Sequence, residues 1–77
     1  MTENDLMDLG FKRFDEVEGV DEFCYYSLTI GGLEFISNDS EDWVDEDISV
    51  EIADTEIIFN EFEDLSQVIN ILRKNEL

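Results

Sequence analysis

Carboxylates dominate the chemistry open to this chain. Its 77 residues include 22 Asp and Glu, one cysteine and no histidine. Without histidine there is no Ser-His or Cys-His nucleophile system, no His-ligated metal site and no imidazole general base. One cysteine cannot build a Cys-type zinc or iron–sulfur site. Cys24 has no Lys or Arg close in sequence to stabilise a thiolate, so it reads as a small buried hydrophobe. Neither GxxxxGK[ST] nor GxGxxG occurs, which makes Gly31-Gly32 a turn rather than a phosphate loop. Carboxylate pairs could in principle run glycoside hydrolysis. Among 22 acids, however, some pair always has suitable spacing, and so short a chain does not easily enclose a saccharide cleft. The expectation is a protein that is not an enzyme and takes no cofactor.

The acids are densest in NDSEDWVDED, residues 38–47, where six of ten are acidic. An EF-hand loop wants oxygen ligands at positions 1, 3 and 5, glycine at 6 and Glu at 12. Starting from Asp45, the chain supplies Asp45, Asp47, Ser49 and Glu56 at the ligand positions, but Val50 where glycine is needed. Ile48, Val50 and Ile52 also demand a strand where that loop should curl. A divalent-cation-binding module is therefore a minor alternative, and no metal ligand is assigned. Trp43 has two readings: it pins the acidic stretch onto the core, or it is an exposed anchor ringed by acids.

The charge is also unevenly placed. Four basic residues, Lys12, Arg13, Arg73 and Lys74, face the 22 acids, for a formal net charge of -18. Residues 14–72 contain no Lys or Arg at all. Ordinary surfaces mix signs, and solubility needs far less charge. Self-repulsion at this level opposes compaction, so the excess calls for a cationic partner. Alternate residues of a strand lie roughly 6.6–6.8 Å apart on one face, so Asp45, Asp47 and Glu51 would form a spaced row of negative charge. Phosphates along nucleic acid are rows of the same kind.

These residues must be positioned by a small fold. With 43% hydrophobic residues, the chain is too apolar for a disordered acidic tail. Thr2 can cap a short helix with Leu6, Met7 and Leu9 on its apolar side and Gly10 ending it. A strand is expected at residues 11–17, followed by a turn around Gly19. In FCYYSLTIGGLEFIS, the Gly31-Gly32 pair between two β-rich runs predicts a two-residue hairpin pairing Ile30 with Leu33 and Leu28 with Phe35. Cys24, Tyr26, Leu28, Ile30, Leu33 and Phe35 then form a core face, and Tyr25, Ser27, Thr29 and Glu34 a wetter one. Ile48, Val50 and Ile52 alternate with polar residues as a half-buried strand. A turn near Asp54-Thr55 would return Ile57 and Phe59 to the same face. Phe62, Leu65, Val68, Ile69 and Leu72 fall on one helical stripe, with Asn60 as N-cap.

The expected fold class is α+β in one domain: about five mainly antiparallel strands, a short N-terminal helix and a C-terminal helix packed on one face, in the order α-β-β-β-β-β-α. The other face is expected to be acidic and open to solvent. A single cysteine, an N-terminus without the signal-peptide pattern and apolar runs too short for a bilayer point to the cytoplasm.

LGF near the start, YYSLTIGGLEFISN in the middle and DLSQVINILRKNEL at the end resemble small acidic proteins encoded by phages and prophages. That group includes restriction inhibitors, the uracil-DNA glycosylase inhibitor and anti-CRISPR proteins, several of which mimic DNA. The expected layout is similar to that of the glycosylase inhibitor. The resemblance implies an anti-defence inhibitor acting in the cytoplasm of an infected bacterial host. Its partner would be a basic nucleic-acid-binding protein of nuclease, helicase or CRISPR-effector type, bound with neither nucleic acid nor membrane, by a monomer or dimer. The expected contacts are Asp39, Glu41, Asp42, Asp45, Glu46, Asp47, Glu51 and Glu56, with Trp43 as an apolar anchor. The alternative is an immunity or antitoxin protein that neutralises a basic nuclease.

Overall fold

A computed structural model describes residues 1–43 and 47–75. Helix α1 spans Glu3–Asp8 and opens with a reciprocal cap: the Thr2 hydroxyl accepts from the Asp5 amide and the Asp5 carboxylate accepts from the Thr2 amide. It closes in a Schellman arrangement, with the Gly10 amide donating to Met7 and the Phe11 amide to Leu6. Gly10 has φ +96°, and a Cβ there would lie 2.9 Å from the Arg73 guanidinium, which donates to the Leu9 carbonyl. The backbone conformation demands glycine at this position, and a side chain there would also have to displace the guanidinium tip.

The five strands are β1 (Lys12–Glu18), β2 (Asp21–Ile30), β3 (Leu33–Ser37), β4 (Val50–Ile52) and β5 (Ile58–Phe59). They form one antiparallel sheet in sequential order. The central hairpin pairs Ile30 with Leu33 and Leu28 with Phe35, the expected register. Gly31 and Gly32 both have positive φ there, as a primed turn requires. The β4–β5 turn contains no glycine. Asp54 takes the left-handed conformation at φ +66°, which Asp tolerates better than most residues. The Thr55 hydroxyl donates to the Ile52 carbonyl at 2.7 Å and secures that turn.

Helix α2 spans Phe62–Asn75 and packs on β2 and β5. Its stripe behaves as the spacing predicts: Leu65 and Ile69 are buried, and Phe62, Val68 and Leu72 pack against the core. The Glu61 carbonyl accepts the first helical bond, from Leu65, so Asn60 sits one residue too early to be the N-cap. Leu6 from α1 and Leu9 at its C-cap join Tyr26, Ile30, Phe35, Ile48, Val50 and Ile52 in the same core. Leu33 and Ile57, expected inside, are 37% and 51% exposed, because both adjoin turns at the margin of the sheet. Met7 is also turned outward.

Candidate functional site

The described part of the acidic stretch, residues 38–43 and 47, is held largely by hydrogen bonds to its polar atoms and to those of Ser37. Strand β3 ends at Ser37, but β2 continues beside it toward Asp21. Two serine hydroxyls take over the missing ladder: Ser37 Oγ accepts from the Tyr26 amide at 2.7 Å, and Ser40 Oγ from the Cys24 amide at 3.0 Å. Buried amides are thereby satisfied without another strand. Asn38 then ties the stretch to the approach of β4. Its amide donates to the Ser49 carbonyl, and its side-chain oxygen accepts from the Ser49 amide. Residues Ser40–Asp42 make one 3-10 turn.

Trp43 points inward. Its indole N–H donates to the Asn38 carbonyl at 2.8 Å, and its ring stacks on Tyr26 at a centroid distance of 6.3 Å. It packs against the core as a partly buried side chain, so the pinning reading describes it and the exposed-anchor reading does not. Asp39 is half-buried and begins the 3-10 turn without a side-chain cap bond, while Glu41 and Asp42 are exposed within it. Asp45 and Glu46 lie outside the described residues. Asp47 is exposed and faces the N-terminal amine at 3.9 Å. Glu51 projects from β4, and Glu56 is exposed just after the β4–β5 turn. The alternation holds through Ile48, Val50 and Ile52, all buried, leaving Asp47, Ser49 and Glu51 at the intervening positions.

Among the described residues the ion pairs are Met1 amine with Asp47, and Arg13 with Glu3 and Asp15. Asp39, Glu41, Asp42, Glu51 and Glu56 therefore meet no cation. Among the same residues, no group of three acid, cysteine or histidine side chains is placed to hold a metal ion. Cys24 is buried and free. Behind the sheet, the Tyr26 hydroxyl donates to Glu3 Oε1 at 3.0 Å. Burial and then that bond to an anionic acceptor push the phenol pKa up. The hydrogen bond to Asp15 does the same for Arg13.

The open face of the sheet differs from the expectation. Acids are present, but Phe14, Phe23, Tyr25, Ile36 and Ile58 share it with them. Strand β1 is exposed along its whole length, and the β1–β2 hairpin ends in Val20, which is 98% exposed. The period-2 rule assigns these residues to a common face. Their neighbourhood follows from the β1–β2 register, which the periodicity of a single strand does not carry and the Gly19 turn sets. That turn sets Glu18 opposite Asp21 and hence Phe14 opposite Tyr25.

Set against protein families, curated proteins and solved structures, the chain has no match. No helix among the described residues is long and apolar enough to cross a membrane.

Proposed function

We propose that this protein is a non-enzymatic inhibitor of the phage anti-defence kind, which presents a nucleic-acid-mimicking acidic surface to a basic nucleic-acid-binding protein and blocks it. The observation that carries the reading is the set of exposed, cation-free carboxylates from the 3-10 turn to the β4–β5 turn: Glu41, Asp42, Glu51 and Glu56, with Asp47 meeting only the N-terminal amine. A carboxylate already paired with lysine must break that pair to accept a new partner. These need not. Their summed field steers encounter with a positive groove and makes the on-rate fall as salt rises. Nucleic acid and anionic lipid are repelled by the same field.

The test is capture on the immobilised chain from bacterial lysate, followed by elution with duplex DNA at constant ionic strength. The expected catch is nucleic-acid-binding protein that DNA displaces, and that is lost when Asp42, Asp47 and Glu51 are together changed to their amides. Capture that is indifferent to both DNA and those three changes would sink the reading. The amide variant should fold about as well as the parent, since relief of like-charge repulsion offsets the loss of the exposed Asp47–amine pair.

A further inference from the structure

Among the described residues, helices cover one face of the sheet. On the other, the register lines up Lys12, Ser27, Ile36, Glu51 and Ile58 across all five strands. In the next rows Phe14 opposes Tyr25 and Glu16 opposes Phe23. The Phe14 and Tyr25 rings stack at a centroid distance of 5.4 Å with planes 16° apart. Phe14 is 42% exposed and Ile58 57%. Two shallow depressions meet at Ile36. One, of ≈ 340 Å³, lies between Phe14, Tyr25, Glu34 and Asp39; the other, of ≈ 160 Å³, lies between Asn38, Ser49, Glu51 and Ile58.

Phe14 and Ile58 are exposed and Tyr25 and Ile36 half-buried beside them, apolar surface of the kind partners dock on, and the charges around it restrict what can dock. Glu16, Glu34, Asp39 and Glu51 border the patch, and Lys12 is the one cation on this face among the described residues. A second copy of the chain would set these acids against themselves. A purely aliphatic partner would bury carboxylates without counter-charge. A guanidinium meets both demands. It is flat and weakly hydrated, it stacks on aromatic rings, and its five N–H donors fit carboxylates at the edge. Ammonium, a compact and strongly hydrated charge, gains less from the rings.

We propose that the open face, centred on the stacked Phe14–Tyr25 pair, docks an arginine-bearing surface of a partner protein. One guanidinium lies on the aromatic pair, and neighbouring cations meet Glu16, Glu34, Asp39 and Glu51. This rests on the reading of the protein as an acidic inhibitor of a basic partner. It puts the apolar anchor at Phe14 and Tyr25, since Trp43 is packed inward.

Titration of the full chain with oligoarginine and oligolysine of equal length, followed by amide NMR at about 0.15 M salt, tests the proposal. The amides of Phe14, Tyr25 and Ile36 are expected to move most. Oligoarginine should bind about three to five times more tightly than oligolysine, the ratio that one stacked guanidinium provides. Changing Phe14→Thr and Tyr25→Thr together should pull that ratio toward one and alter oligolysine binding by less than about twofold. Shifts confined to residues 39–43, with a ratio untouched by the double change, would overturn the proposal and leave the acidic-inhibitor reading standing. Binding of neither peptide would remove both. Shifts at Phe14 and Tyr25 that grow with protein concentration alone would assign the face to a second copy and overturn the proposal. Should the double variant not fold, the single Phe14→Thr change on the exposed edge strand carries the same comparison.

Discussion

Alternate positions of the same strands meet opposite fates in this sheet. On one face Tyr26, Ile30, Phe35, Val50 and Ile52 are buried beneath two helices. On the other, Phe14, Phe23, Tyr25, Ile36 and Ile58 carry no such cover. Apolar content does not separate the two, since both are rich in aromatic and β-branched side chains. Their polar members do. On the covered face the buried ones are neutral and bonded, the Ser37 hydroxyl accepting from Tyr26 and the Tyr26 hydroxyl reaching Glu3 at the rim, while its charged members Arg13 and Asp15 lie on the exposed edge strand and pair with each other. On the open face they are carboxylates set beside rings by the register, Glu16 opposite Phe23 and Glu51 between Ile36 and Ile58. A carboxylate next to a ring cannot follow it into a core without a counter-charge. Unpaired charge, more than hydrophobicity, therefore separates the face that stays wet from the covered one.

The largest test of this contrast is Ile69→Ala. Ile69 is fully buried at the centre of the α2 stripe, and removing a buried aliphatic side chain costs about 2–5 kcal/mol. A domain this small has about as much stability in total. Urea titration followed by circular dichroism should find the variant largely unfolded in buffer. A small shift in midpoint would mean that α2 contributes little to the covered face.

Trp43→Ala comes next. Deleting a fully buried Trp costs about 3–5 kcal/mol, and partial burial brings the expected loss here to about 2 kcal/mol. Loss of the indole bond to Asn38 should also loosen the Asn38–Ser49 tie and speed amide exchange at Ser49. Unchanged exchange there would mean that the Asn38–Ser49 tie holds without the indole.

Much of the covered face was legible in the residues. Gly31-Gly32 fixed the hairpin register, the Ile48–Val50–Ile52 alternation marked β4, and the Phe62–Leu72 spacing marked α2. These are local signals, in which neighbouring residues carry the information. The open face was less legible because its composition depends on two chain segments meeting at a turn where only one residue is glycine. The inward turn of Trp43 was equally hidden. It depends on a carbonyl five residues away and on the Tyr26 ring across the sheet, and no periodicity encodes either. Of the predicted contact acids among the described residues, Asp39 alone lines the aromatic depression with Phe14 and Tyr25, while Glu51 borders its neighbour.

Tyr26→Phe is expected to cost about 1 kcal/mol near neutral pH, the net worth of one hydrogen bond. Its pH dependence is more telling. Burial and the Glu3 bond raise the Tyr26 pKa in the folded protein, so the folded chain holds that proton more tightly than the unfolded chain. The resulting stabilisation is complete below the ordinary tyrosine value of about 10 and is lost as pH rises through the folded-state value. Thermal melts of both proteins should therefore show the parent's advantage shrinking above about pH 10. A gap that stays constant across that range would mean the phenol is not part of the covered face.

The smallest effect is expected where the contrast is most exposed, at Phe14→Thr. The ring lies on the free edge strand and touches Tyr25 but not the core. Threonine keeps the preference for a pleated strand, so the loss should be about 0.5 kcal/mol, a fraction of one aromatic pair. Equilibrium unfolding in urea measures it directly. A loss approaching that of Ile69→Ala would mean that the open face stabilises the fold as the covered face does, leaving no unused aromatic surface for a partner. A loss near the expected value would leave Phe14 with little structural duty, and an exposed ring with little structural duty, set among carboxylates, is what an arginine-bearing partner would require.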